Sequence, residues 1–430
     1  MTSHSRRALL AGLAGVATTA VAGCGSLPAG PTSGLTLART RRLAYPDPGH
    51  PYATPLDAHV LATRAHLDAL VTAAEPLLAD VSESDVGDDR YRDLRIGVDE
   101  SRDVLAETAD EPASADNHGI YVSYVPNAGY ALGFLRAWHR MTGFDAAERR
   151  LRRVRAAVAE TAVAFDYRCD DPARLLAGVG WAERELHFAD IADIGDPEPP
   201  AGDSRRRRAN YVARLVEHAE KMRRDVRSAR YTYRAFDAER PTSAEPFADA
   251  LASNRRAVRT RMREAAVDDD AAHERAESTD DPALSTFRYR VEDAVGEADE
   301  SRYRVAEHLD RNRGVLAAVA AARAVCHYRG YHAAVDRTDP DEVTSGPHPD
   351  VLFGAKRRAV RAIRTGLDGD PFRAWLLDGA ARLVRAGDDA FENDLLDSDA
   401  QRRAAALAYY RRGRGYAVAA RGAAGTLERR

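Results

Sequence analysis

The chain has 430 residues, of which 44% are apolar and 30% charged, and it carries three cysteines. That length allows two or three domains of usual size, and so few cysteines exclude a disulfide scaffold. The 63 basic and 67 acidic residues nearly cancel, so no whole-molecule field points at nucleic acid.

Arg6 and Arg7 precede an uncharged apolar stretch from Ala8 to Gly23. Its sixteen residues would span roughly 24 Å as a helix, short of a membrane crossing. Gly12, Gly15, Thr18 and Thr19 dilute it further, so the stretch reads as an export signal (residues 1–23) and not as a permanent anchor. "SRRALLA", Ser5 to Ala11, resembles a twin-arginine signal, with Ala11 where a lysine is usual, and "VAGC", Val21 to Cys24, resembles a lipobox. Together they resemble the Tat-exported lipoproteins of halophilic archaea. The resemblance covers about 24 residues and implies nothing for the rest. It implies a lipid on the Cys24 sulfur and a location on the outer face of the cytoplasmic membrane. A lipid contributes ~0.8 kcal/mol per buried methylene, so two chains hold a protein stably at a membrane.

Residues 24–54, with Pro28, Pro31, Pro46, Pro48 and Pro51, read as the lipidated cysteine and a flexible tether. Thr54 and Pro55 then read as a helix cap and first helical residue. Helical periodicity predicts segments 55–80, 88–109, 127–141, 145–167, 171–194, 204–237, 243–278, 282–335, 350–367, 371–387 and 398–423. No strand alternation is found, so the fold class is all-α. The expected architecture is a multi-helix bundle with long antiparallel helices in the C-terminal half. "GDPEPPAGDS" at 195–204 marks the expected boundary between an N-terminal helical domain, 55–196, and a long-helix domain, 203–430. Apolar stripes through 204–237, 243–278 and 282–335 suggest an elongated three-helix bundle, with a bend of the last segment at Gly296 or Gly314.

Chemical signals are sparse. On the segment "GWAERELHFADIAD", Glu183, His187 and Asp190 fall within about 60° of one another on one helical edge. Two carboxylates and an imidazole there would hold a divalent metal if another helix supplied a fourth ligand. The same edge reads first as a charged boundary face paired with Arg184 and other arginines. His59 and His66 read as surface or boundary residues, and His218 as a hydrogen-bonded core histidine. His327 and His332 do not share a face. Cys169 and Cys326 form either one disulfide or two buried thiols. "GVG" at 178 and "GRG" at 413 lack the setting of a phosphate cradle. The arginine run 205–208 and the arginines of the last thirty residues would suit anionic lipid head groups or a solvated face.

The expected function is therefore a lipid-anchored extracytoplasmic binding or structural protein that docks a protein or solute partner. No cofactor beyond the Cys24 lipid and no nucleic acid is expected. The alternative is a metal-dependent extracytoplasmic enzyme with its site at Glu183, His187 and Asp190. Replacing Cys24 with Ser should release the chain from washed membranes, and replacing Arg6 and Arg7 with Lys should leave it unexported. Fractionation and immunoblotting of cells carrying each variant check both outcomes.

Overall fold

Asp171, Asp281, Asp339 and Asp370 each stand before a proline, and each side chain accepts a hydrogen bond from a backbone N–H of the helix it opens. The proline supplies a preset φ at a position whose N–H has no intrahelical partner, so these helix starts are encoded locally. The computed structural model describes residues 30–44, 46, 48, 57–195, 204–238, 245–367, 369–393 and 395–428. Arg6, Arg7, Cys24 and the Thr54–Pro55 cap lie outside the described residues.

In the first half the helices are α1 (Gly30–Arg42), α2 (Asp57–Ala79), α3 (Glu83–Val86), α4 (Asp88–Arg95), α5 (Ser101–Glu107), α6 (Ala115–Trp138), α7 (Phe144–Val163), α8 (Pro172–Ile191) and α9 (Arg205–Ala238). A π-helical turn, Ile96–Glu100, joins α4 to α5. There follow α10 (Ala248–Ala265), α11 (Asp269–Glu277), α12 (Pro282–Asp310), α13 (Gly314–Val335), α14 (Pro340–Val343), α15 (Pro349–Gly366), α16 (Pro371–Asp389) and α17 (Asp399–Glu428). The fold is all-α. Two strands of two residues each, Arg168–Cys169 and Glu245–Pro246, pair antiparallel and tie the entrance of α8 to the entrance of α10.

One core gathers Leu67, Val71, Leu94, Val98 and Phe134 from α2, α4, the π turn and α6. A second and larger one runs from Leu151 and Leu186 through Val319 and Trp375 to Tyr416. The α9 helix packs against α6, α7 and α8, while α8 also meets α13 and α16. Thus α9 and α8 connect the two cores. Gly180 allows this: a Cβ there would come within 2.8 Å of the Trp375 ring and the Val315 side chain. The "GVG" stretch is a helix crossing.

Three expectations change. The segment 282–335 is two helices folded back on each other, α12 and α13, and the reversal is at Asn312 (φ 56°), not at Gly296 or Gly314. The Arg313 N–H bonds to the His308 carbonyl at 2.8 Å and the Asn312 N–H to the Leu309 carbonyl at 3.1 Å. These two bonds close a left-handed helix cap, a conformation that asparagine tolerates better than most side chains. Segment 243–278 likewise divides into α10 and α11. The three long segments do not form one bundle, because α9 lies against α6–α8 while α12 and α13 pack on α17.

The tether also changes. Residues 30–42, inside the stretch 24–54 expected to be flexible, form α1, which docks on α15. Lys356, one of the two lysines, is fully buried there and explains the docking. Its Nζ donates to the Thr40 carbonyl and to Asp388 Oδ2, both at 2.8 Å, while the Tyr410 hydroxyl donates to Asp388 Oδ1 at 2.6 Å. A compact ammonium satisfies the last carbonyls of α1 and a carboxylate of α16 together.

Gly415 of α17 crosses α13 so closely that a Cβ would lie 2.6 Å from the Ala333 Cβ and 2.8 Å from the Arg329 carbonyl oxygen. Gly415→Ala should therefore cost about 1–3 kcal/mol, although alanine is the better helix former by about 1 kcal/mol. Denaturant unfolding of the two chains measures this, and a stabilised variant would contradict the crossing.

Candidate functional site

The helical edge of α8 that carries Glu183, His187 and Asp190 faces the α12–α13 reversal. Glu183 is wholly buried. Its Oε2 accepts from the Leu316 N–H at 2.7 Å, its Oε1 from the Val315 N–H at 3.3 Å and from the Tyr167 hydroxyl at 2.6 Å. A carboxylate from α8 thus caps the first turn of α13, where the backbone N–H groups lack intrahelical acceptors. Asp190 pairs with both Arg311 and Arg313, and the buried Arg313 guanidinium also donates to the Leu186 carbonyl at 3.1 Å. The two carboxylates are therefore committed to backbone and arginine. Among the described residues, no group of three or more His, Cys, Asp or Glu is placed to hold a metal ion. The metal reading is corrected on that ground: the shared edge is real, and what meets it is a helix start and two guanidiniums.

His187, the third member, faces elsewhere. Its ring meets that of His308, from the last turn of α12, at 4.8 Å and nearly perpendicular. Both are buried, and neither ring nitrogen of His187 nor Nδ1 of His308 has a protein hydrogen-bond partner. Buried polar atoms left this way are uncommon and call for an explanation. They border a cavity of about 520 Å³ enclosed by α8, α12, α13, α16 and α17. Trp375, Tyr409 and Tyr416 supply aromatic wall, while Phe188, Glu300 and Arg382 are solvent-exposed at its mouth.

The charges around the cavity are of two kinds. Arg304 pairs with Glu300 at 2.5 Å, Arg382 with Asp378 at 2.8 Å, and Glu297 with His327 at 2.8 Å and with Arg412. Burial works against the ionised Glu297, yet His327 and Arg412 outweigh it and hold the carboxyl at about 2. Arg184 and Arg323 have no carboxylate partner among the described residues. Arg184 lies 4.3 Å over the Trp181 ring with Nη1 buried and unbonded, and burial brings its pKa down to about 10. Arg323 lies 5.5 Å over the Trp375 ring, and burial lowers it too. Burial first, then the neighbouring His187 and arginines, push His308 down to about 3, and burial lowers His187. Both imidazoles are neutral near pH 7, each offering one donor and one acceptor. The cavity therefore presents two guanidiniums without a salt bridge, two neutral imidazoles and an aromatic wall. Guanidinium and imidazole N–H groups of this kind can donate to an anion.

The other singled-out residues are structural. His59 is buried, stacked on Tyr231 at 4.5 Å and edge-on to His118 at 4.4 Å, and His66 bonds Glu220 at 2.6 Å. His66 is half-buried, as a boundary residue should be, whereas His59 is buried because α9 covers that face of α2. His218 is half-buried and bonds the Ala192 carbonyl at 2.9 Å. Cys169 and Cys326 are both buried with no disulfide between them, and burial pushes the Cys326 thiol up. His308, Arg323 and Trp375 were missed as site residues. Only Arg323 carried a signal, as the one charge in the run Gly314 to Cys326.

Burial raises the Glu183 carboxyl from 4.5 to about 7, against the bonds from Tyr167, Leu316 and Val315. A raised carboxyl contributes stability that is complete below pH 4.5 and is lost as pH rises through about 7. Glu183→Gln should remove up to about 3 kcal/mol of this fall. Denaturation midpoints of both chains on either side of that window test it: the variant's should change less.

Residues 58–243 match a family model described as "Domain of unknown function (DUF8262)", and residues 244–429 match one described as "Domain of unknown function (DUF8264)". No curated protein and no solved structure matches the chain. The two matches meet just after α9, so α9 falls within the same match as α6, α7 and α8, on which it packs, and the cavity draws on both matched segments.

Proposed function

We propose that this chain is a lipid-anchored extracytoplasmic binding protein that receives a small anionic solute in the cavity between α8, α12, α13, α16 and α17. The address follows from the export signal and lipobox of residues 5–24. The observation that carries the binding role is the buried pair His187 and His308, three of whose ring nitrogens have no protein partner, beside the guanidiniums of Arg184 and Arg323, which have no salt bridge among the described residues. A guanidinium in a partly desolvated site donates two parallel bonds to a carboxylate, sulfonate or phosphate, and the neutral imidazoles complete the remaining acceptors. The ring of Trp375 suits an apolar portion of the same solute.

The test uses benzenesulfonate and its uncharged near-isostere benzenesulfonamide on the purified chain. Trp375 lines the cavity and Trp181 stands 5.9 Å from it, so tryptophan fluorescence reports occupancy. Benzenesulfonate should change the emission saturably, with benzenesulfonamide about tenfold weaker or more. Arg323→Gln should weaken benzenesulfonate to the level of the sulfonamide and leave the sulfonamide unchanged. Equal binding of the two probes would remove the anion preference, and no saturable binding of either would remove the solute-binding role.

A further inference from the structure

We propose that the face formed by α1 and α15 rests on an anionic phospholipid surface, using unpaired arginines to hold phosphate groups beside the anchor. The part played by the anchor rests on the lipidation reading of Cys24; the charge of the face does not.

Arg357, Arg361 and Arg364 recur along α15 at steps of four and three and are all exposed, so they form one stripe. Arg39 of α1 lies 5.9 Å over the ring of Phe353, one helical row from that stripe, and Arg42 follows Arg39 on the same side of α1. Arg364 donates to the Ala44 carbonyl at 3.2 Å, which joins the end of α1 to the stripe. Arg39, Arg42, Arg357 and Arg361 have no ion pair among the described residues. The helices offer little to neutralise them: α1 contains no acidic residue, and α15 contains only Asp350, in its first turn. Some exposed arginines sit against carboxylates three or four residues away, as Arg92 does with Asp89 and Arg95 with Asp99; those of this face do not.

Chain length points to the occupant. Five residues separate Cys24 from Gly30, the start of α1, and the six steps between them reach at most about 20 Å. The Lys356 bonds to the end of α1 then fix that helix on α15. A lipid on Cys24 would thereby keep this face, more than any surface distant from α1, within reach of head groups. Guanidinium forks match phosphate oxygens in pairs, so the contact is a direct one and not only a long-range field.

The measurement is vesicle co-sedimentation of the full chain carrying Cys24→Ser, with phosphatidylcholine vesicles that contain or lack phosphatidylglycerol. The difference between the two vesicle types is read, so that any binding independent of lipid charge cancels. The chain should favour the anionic vesicles. Arg357→Glu with Arg361→Glu should lower that preference about tenfold or more. Arg259→Glu with Arg263→Glu, an exposed pair on α10, should leave it nearly intact. Far-ultraviolet circular dichroism of both double variants confirms that each remains helical. No preference for anionic vesicles, or equal losses in the two double variants, would overturn the proposal. Failure of the anchor is read separately: an unlipidated Cys24 in the membrane-extracted wild-type chain would sink the lipidation reading while the vesicle result stood.

Discussion

The α12–α13 reversal is held by two carboxylates of a distant helix, and the arrangement of the C-terminal half depends on that contact. Glu183 supplies acceptors to the first N–H groups of α13, and Asp190, two turns further along α8, receives Arg311 and Arg313. Each group alone would be costly to bury: a carboxylate away from water, a guanidinium at 1% exposure, a helix start with no acceptors. Together they satisfy much of one another's bonding demand. Because the contact fixes α8 against the end of α12 and the start of α13, it also brings His187 to His308 and lays one side of the cavity.

Arginine usage divides along the same physical line. Most charged contacts in the protein are matched pairs, many of them three or four residues apart on an exposed helix, where each adds only a few tenths of a kcal/mol. Two groups of unmatched guanidiniums stand out. Arg184 and Arg323 stand at a cavity, over aromatic rings and partly withdrawn from water. Arg39, Arg42, Arg357 and Arg361 stand together on an exposed face beside the first helix. Both placements leave positive charge without a carboxylate partner among the described residues.

Several parts of this structure were readable as text. The Asp-Pro starts, the stripe through Leu215, Met222, Val226 and Phe236 and the helical character of nearly the whole chain are local properties, set within one or two turns. The edge shared by Glu183, His187 and Asp190 was also readable, since helical geometry alone places those side chains together. Its partner was not, because Arg313 and the Leu316 N–H come from more than a hundred residues further along. The break in 282–335 escaped for a related reason: the stripe runs through the reversal without losing phase, and the left-handed residue is an asparagine, not either glycine.

The amino-acid sequence by itself determined the helices, their caps, their buried stripes and the resemblance of the first 24 residues to an exported lipoprotein signal. These depend on neighbours a few bonds away. Tertiary structure alone decided which charges remain unpaired, because a guanidinium's partner is chosen by packing between helices. It turned an apparent metal-ligand edge into a helix cap and placed Arg323, a single charge in an apolar run, at a cavity. By burying Lys356 under residues 30–42, it also turned part of an expected tether into a docked helix.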